Sequence, residues 1–204
     1  MRTSTKRTDR TDSGVAGPGT AWEDVRRRVG LRAVLGGVLV AVGVELEWLL
    51  DFQEPDGTVV RPAAFALCVS VSALGFALLA WASWGLRSAA EGRSRALYTG
   101  SLLSAAGAGL LLLFSLTVLV TGLANGSPAG LSFVVFGLGM LLLSVGPVIL
   151  GLGLRRRLGG VSVLLVLAGL AAFAVIAVPV DPWHDVSLVA MCAAWSGFGV
   201  LLRR

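Results

Sequence analysis

Six long apolar runs, separated by short polar segments, dominate the pattern of the chain. They cover residues 33–50, 62–84, 98–123, 128–154, 158–180 and 182–202. A helix rises about 1.5 Å per residue, so about 20 apolar residues cross the roughly 30 Å hydrocarbon core of a bilayer. The pattern therefore predicts an all-α integral membrane protein, a bundle of about six transmembrane helices. The composition agrees, since 55% of residues are hydrophobic and 14% are charged, against about 45–50% and 25% in soluble domains.

Two polar segments precede the first apolar run. Residues 1–19 are rich in Thr, Ser, Gly, Asp and Arg without apolar periodicity, which predicts a disordered cytoplasmic tail. Residues 20–32 place apolar side chains on one helical face, opposite Arg26, Arg27 and Arg28. That arrangement predicts a basic juxtamembrane helix lying on the membrane surface. The transmembrane domain then spans 33–204.

The basic residues indicate the orientation of the chain in the membrane. If the N-terminus is cytoplasmic, 16 of the 17 lysine and arginine residues fall on the cytoplasmic side, and Arg61 alone lies outside. Short cytoplasmic loops carry such an excess of basic residues. The sequence therefore predicts an N-in, C-in protein of the bacterial plasma membrane, with anionic lipid headgroups against its cytoplasmic face. Because the charge lies beside the membrane, we expect no nucleic-acid partner.

The chain lacks the motifs of the common enzyme and cofactor classes. It has one histidine, one lysine in the tail, and no GxSxG, HExxH or GxxxxGK[ST] sequence. A hydrolase needs a nucleophile, a base and a group that orients the base. Cys68 and Cys192 lie in apolar runs at depths that differ by roughly 6 Å, which predicts two free thiols. We expect no enzymatic activity, no catalytic residue, no cofactor and no resident metal.

Glu45 and Glu47 are the acidic residues within the first apolar run. They are about 200° apart around a helix, so they face different ways. Glu47 shares a face with small residues that mark helix contacts, whereas Glu45 lies next to Trp48, a residue typical of the lipid interface. A carboxylate that faces the bundle needs a partner. We hypothesise that Glu47 pairs with Arg61; the alternative is that both acids extend to the headgroups.

The segment Asp181-Pro182-Trp183-His184-Asp185 has two interpretations. Carboxylates and an imidazole are ligands for cations, so Asp181, His184 and Asp185 are one hypothetical external cation site. The favoured interpretation is a helix start. Asp181 is then the N-cap, the proline takes the first position, the tryptophan lies at the interface, and Asp185 benefits from the helix dipole.

The distribution of ionisable residues bears on function. Apolar runs two to six hold none in their interiors, and such residues tend to mark ion or substrate paths. The sequence therefore favours a non-enzymatic protein that acts through helix packing or lipid contact, as a subunit or regulator of a membrane complex or as a homo-oligomer. A small transporter or channel is the alternative. The 27 glycines, many of them within the runs, predict close helix packing.

Overall fold

The computed structural model describes residues 18–53, 58–90, 94–126, 132–178 and 183–204. They form the helices α1 Pro18–Leu50, α2 Pro62–Ala90, α3 Arg95–Asn125, α4 Ser132–Leu158, α5 Val163–Ala177 and α6 Trp183–Arg203. The predicted all-α class is confirmed. Nearly all of the predicted disordered tail lies outside the described residues, as does Asp181.

Five helical runs in the described part of the chain are long and apolar enough to cross a membrane, so the protein is a multi-pass helical membrane protein. They are Glu23–Glu47, Pro62–Arg87, Arg95–Asn125, Phe133–Ala177 and Trp183–Arg203. The fourth run has 45 residues because α4, a 3₁₀ turn at Gly159–Ser162 and α5 follow one another directly. By itself α5 has 15 residues, fewer than the about 17–25 of a typical transmembrane helix.

The fourth run nevertheless folds back on itself. Gly159 has a φ of 53°, a left-handed conformation that glycine adopts without steric cost. Beyond it, Gly169 of α5 lies against the carbonyl of Ser144, and Gly151 of α4 lies against Ser162. Earlier residues of α4 thus meet later residues of α5, and the two helices form an antiparallel hairpin.

A single helix, α1, includes both the predicted juxtamembrane helix 20–32 and the first apolar run 33–50. Its 33 residues continue without a break from Pro18 to Leu50. Val29 belongs to the buried core, and Arg26 Nε donates to the carbonyl oxygen of Leu202 at 3.0 Å. That carbonyl belongs to the last turn of α6, where helix carbonyls need partners from outside the helix. The basic first turns of α1 therefore pack on the end of α6.

The six helices form a closed ring in chain order. Helices α2 to α5 each pack against the helix before and the helix after, and α1 packs against α6 to close the ring. Among the described residues, no other pair of α-helices has backbones in close approach, although the Phe136 ring of α4 lies near the His184 ring of α6. Neighbouring axes of packed helices are about 8–10 Å apart. A ring of six helices therefore leaves space along its axis. Side chains can fill this space, or it can stay open as a cavity.

Heptad-spaced glycines bring the helices of the ring together. In α1, Gly36 and Gly43 face α2, whereas Gly30 and Gly37 face α6. Residues spaced seven apart stay on the side of a helix that faces its neighbour when the two helices cross at about +20°. Elsewhere close contacts are found at Gly107, Gly139, Gly151 and Gly169, and open space lies beside Gly109 and Gly137.

The two ends of the ring differ. At one end α1, α3 and α5 begin, and the described arginines other than Arg61 lie toward it; we call it the arginine end. Large buried side chains, including Trp195, Phe198 and Leu79, fill the half of the ring nearer to it. Trp195 and Phe198 meet edge to face with ring centroids 6.1 Å apart. The opposite end, where α2, α4 and α6 begin, is the cavity end.

Candidate functional site

A cavity of about 660 Å³ lies at the cavity end of the ring. All six helices line it: α1, α3 and α5 through residues toward their C-terminal ends, and α2, α4 and α6 through residues toward their N-terminal ends. Its volume is within the about 300–1,000 Å³ of small-molecule sites. The cavity is the space that the ring leaves on its axis and that the core of the arginine half does not fill.

Phenylalanine forms much of the cavity wall. Six of the eight phenylalanines of the chain line it, namely Phe52, Phe65, Phe76, Phe114, Phe133 and Phe136. Phe52 and Phe65 meet edge to face with centroids 5.4 Å apart, and Phe114 and Phe136 are tilted with centroids 5.1 Å apart. Each ring pair joins two different parts of the chain. The pairs therefore hold the rings in place from neighbouring elements.

Phe52 is fixed by the backbone of the α1–α2 connection. Its carbonyl accepts a hydrogen bond from the N–H of Val60 at 2.9 Å, and Val59 N–H donates to the carbonyl of Gly126 at 2.9 Å. The connection is thus attached to the end of α3. Phe52 is 3% exposed as a result, although it lies outside a helix.

Three ionisable side chains line the cavity among these rings. Glu47 comes from the end of α1, and His184 and Asp185 come from the start of α6. Glu47 lies close enough to interact electrostatically with both of the others. They are far apart in sequence and meet because α1 and α6 close the ring. The sequence patterns treat them as two separate features.

The orientation of the His184 ring is set by α5. Its Nδ1 lies 3.2 Å from the carbonyl oxygen of Val175. Because a carbonyl oxygen only accepts, Nδ1 carries the proton in this contact. Nε2 is then an acceptor in the neutral ring and a donor in the cation. The Phe136 ring is also near the imidazole, with the two ring centroids 6.3 Å apart.

Arg61 is directed to the backbone of α1. Its Nη1 donates to the carbonyl oxygen of Leu50 at 2.9 Å, one of the end carbonyls that lack a partner within the helix. Arg61 therefore links the start of α2 to the end of α1, whereas Glu47 is brought to His184 and Asp185. Glu45 and Glu47 are both exposed, but only Glu47 is part of the cavity lining.

The other predicted features are the two cysteines and the hypothetical cation site. Both thiols are free and buried, as predicted, and Cys68 also lines the cavity. No group of three His, Cys, Asp or Glu side chains within the described ranges is arranged to hold a metal ion. The hypothetical Asp181–His184–Asp185 site includes a residue outside those ranges and stays a hypothesis.

Sequence reasoning missed the phenylalanine wall. A signal was present, since Phe65, Phe114 and Phe133 all fall near the same end of successive helices when the chain is read up and down. Local periodicity could not show that these ends surround one space. That depends on the order of the helices in the ring.

Comparison of the chain with protein-family models, with curated proteins and with solved structures finds no match. The chemistry of the cavity is therefore the guide to function. It combines apolar aromatic walls with two carboxylates and one imidazole, and it is lined by every helix. Such a site can enclose a small apolar molecule and neutralise a positive charge on it.

Proposed function

We propose that the protein binds a small organic cation with an apolar body in the cavity and carries it through the membrane. The observation that supports this is the joining of six phenylalanines with Glu47 and Asp185 in one space lined by all six helices. Aromatic faces attract organic cations, and carboxylates provide charge-assisted partners. The activity is that of a small transporter, which the sequence alone ranks second.

The sign of the charge argues for a cation. Among the described residues that line the cavity, two are acidic and none is lysine or arginine. Glu47 lines the cavity and its side chain is exposed, so its carboxylate is accessible to a ligand. A bound ammonium or phosphonium group is attracted by that charge, and the phenylalanines remove the apolar body of the ligand from water.

Binding and transport without catalysis are part of the proposal. A catalytic histidine is usually oriented by a carboxylate, whereas the Nδ1 hydrogen of His184 is directed to the backbone carbonyl of Val175. The hydroxyl of Ser115, another group in the lining, donates to the carbonyl of Leu111 at 2.9 Å. Both contacts fit a wall that orients polar groups for binding.

We place the chain in a bacterial plasma membrane, N-in and C-in, with six crossings and the cavity end outward. The excess of arginine at the opposite end supports this orientation. The antiparallel packing of α5 on α4 supports counting α5 as a separate crossing. The ligand then enters from outside.

The test uses tetraphenylphosphonium and tetraphenylborate, which have nearly the same shape and opposite charge. The protein is placed in nanodiscs and the binding of each ion is titrated. We expect saturable binding of the phosphonium alone, weakened about tenfold by Glu47→Gln through loss of the coulombic attraction between the carboxylate and the cation. Glu45→Gln is the matched control on the exposed face and should leave binding unchanged.

Equal binding of the two ions, or equal effects of the two glutamate variants, would remove the cation site from the proposal. Transport is measured separately, as uptake of the phosphonium into proteoliposomes. Binding without uptake would leave a receptor or sensor of organic cations. Absence of both would disprove the proposed function.

A second candidate is the subunit or regulator that the sequence favours, or a homo-oligomer that acts through helix packing. Gly109 of α3 supports it, because a Cβ there would meet nothing within 4 Å and a helix of another chain has room to approach. Gly109→Leu should then dissociate the complex while phosphonium binding is kept. An unchanged mass of the detergent-solubilised complex would remove this candidate.

A further inference from the structure

A second concave site lies on the outer surface of the ring, between α2 and α3 near the arginine end. It is a groove of about 400 Å³ that shares no lining residue with the cavity. Ala80, Ala105 and Ala106 leave the space, and Trp81, Trp84 and Leu102 border it. Both tryptophans are more than half exposed, so the groove faces the lipid.

An arginine lies beside Trp84, one of the residues that border this groove. The guanidinium carbon of Arg87 lies 4.4 Å from the ring centroid of Trp84 on α2 and 4.6 Å from that of Tyr98 on α3. Its Nη2 also donates to the Tyr98 hydroxyl at 2.8 Å. A guanidinium has five N–H donors, so this contact leaves others for an anion. Stacking on aromatic rings holds its plane in a defined direction.

A second arginine stabilises the wall of the groove. The guanidinium carbon of Arg32, on α1, lies 3.8 Å from the ring centroid of Trp81. This cation–π contact is close and restrains the tryptophan. Trp81 is thereby held as a border of the groove, although its side chain is largely exposed.

The depth of these residues follows from the helix rise. From Tyr98 to Ala106 the chain of α3 advances about 12 Å away from the arginine end. Arg87 and Tyr98 thus lie at the headgroup level, and the alanines lie at the level of the acyl chains. A positive group above an apolar slot is complementary to a phosphate above a hydrocarbon chain.

We propose that this groove binds one anionic phospholipid from the leaflet at the arginine end. The phosphate accepts hydrogen bonds from Arg87, and one acyl chain lies along Ala80, Ala105 and Ala106. Arg32 acts as a positioning residue through Trp81. The site adds to the general attraction between basic residues and anionic headgroups, because it fixes the place of a single lipid molecule.

The experiment counts lipids retained by the full-length protein. The protein is released from nanodiscs that contain equal amounts of phosphatidylglycerol and phosphatidylcholine, and native mass spectrometry identifies the bound lipid. We expect one phosphatidylglycerol per chain. Arg87→Gln should lower its retention about fivefold, since one arginine near the surface accounts for about that factor. Ala106→Leu should abolish retention by filling the slot while keeping the charge.

Arg156→Gln is the matched control, because Arg156 is an exposed arginine on α4 at the same arginine end of the ring. It should leave retention unchanged. Thermal unfolding in lipid-free detergent verifies that each variant is folded; added phosphatidylglycerol should then raise the melting temperature of the wild type and not of Ala106→Leu. Equal retention of the two lipids, or equal losses in Arg87→Gln and Arg156→Gln, would overturn the proposal.

Discussion

Gly36 of α1 and Gly75 of α2 face each other so closely that a Cβ on either would lie 2.9 Å from the carbonyl oxygen of the other. Helix backbones approach to this extent only where side chains are absent. The contact lies between the filled half of the ring and the cavity, and it holds α1 at the distance that places Glu47 on the cavity wall.

Replacing Gly36 with Ala should therefore destabilise the protein. A Cβ would also meet the Leu79 side chain at 2.9 Å, and overpacking of this kind costs about 1–3 kcal/mol. Gly109→Ala is the matched control, because nothing lies within 4 Å of its Cβ position. Thermal unfolding in detergent measures both, and equal melting temperatures would contradict the packing of α1 on α2.

Arg61 and Glu47 should contribute to stability independently. The Arg61 guanidinium is bonded to the carbonyl of Leu50, so removing the Glu47 charge leaves that bond in place. Glu47→Gln, Arg61→Gln and the double variant form a cycle that measures the interaction. We expect the two losses to add within about 0.5 kcal/mol. A larger coupling energy would restore the Glu47–Arg61 pair that the sequence suggests.

His184→Ala should reduce stability modestly. The variant removes the contact of Nδ1 with the Val175 carbonyl, which joins α6 to α5, and one such hydrogen bond contributes about 1 kcal/mol. Equilibrium unfolding of the wild type and the variant gives the difference. Metal content, measured in parallel, should be the same in both. A stoichiometric metal that is lost in the variant would favour the external cation site instead.

The two thiols should differ in their response to ligand. Both thiols are buried, 3% exposed at Cys68 and 1% at Cys192, but Cys68 lines the cavity and Cys192 does not. Tetraphenylphosphonium should slow alkylation of Cys68 by a small maleimide and leave Cys192 as it is. Peptide mass spectrometry quantifies each site. Equal protection of both cysteines would indicate a general change in the protein and contradict ligand binding beside Cys68.

Reporter fusions test the orientation. Fusions after Gly57 and Asn125 should report from outside the cell, and those after Gly92 and Arg204 from the cytoplasm, because arginine concentrates at the end that holds both termini. A C-terminal reporter that acts from outside would mean an odd number of crossings, with α4 and α5 inserted as fewer than two.

The sequence alone predicts the helices better than it predicts the composition of the cavity. Apolar runs long enough to cross a bilayer predict transmembrane helices. The start of α2 at Pro62 agrees with the preference of proline for the first helical turn. The face shared by Gly36, Gly43 and Glu47 also follows from local periodicity. All of these depend on residues close together in the chain.

The composition of the cavity depends on contacts between distant residues. Glu47 and His184 meet only because α1 packs against α6, and no periodicity within either helix specifies that neighbour. The predicted span 158–180 is longer than α5, since it also includes the 3₁₀ turn Gly159–Ser162. Uniformly apolar composition cannot mark where such a helix begins and ends.

The contact between α1 and α6 has a consequence for biosynthesis. The other neighbouring helices of the ring are consecutive in the chain, so each of those pairs can form as the chain emerges into the membrane. The cavity is complete only when the last helix arrives beside the first. A nascent chain with only the first five helices inserted would thus leave Glu47 on an open cleft, and the cavity would stay open until α6 is inserted.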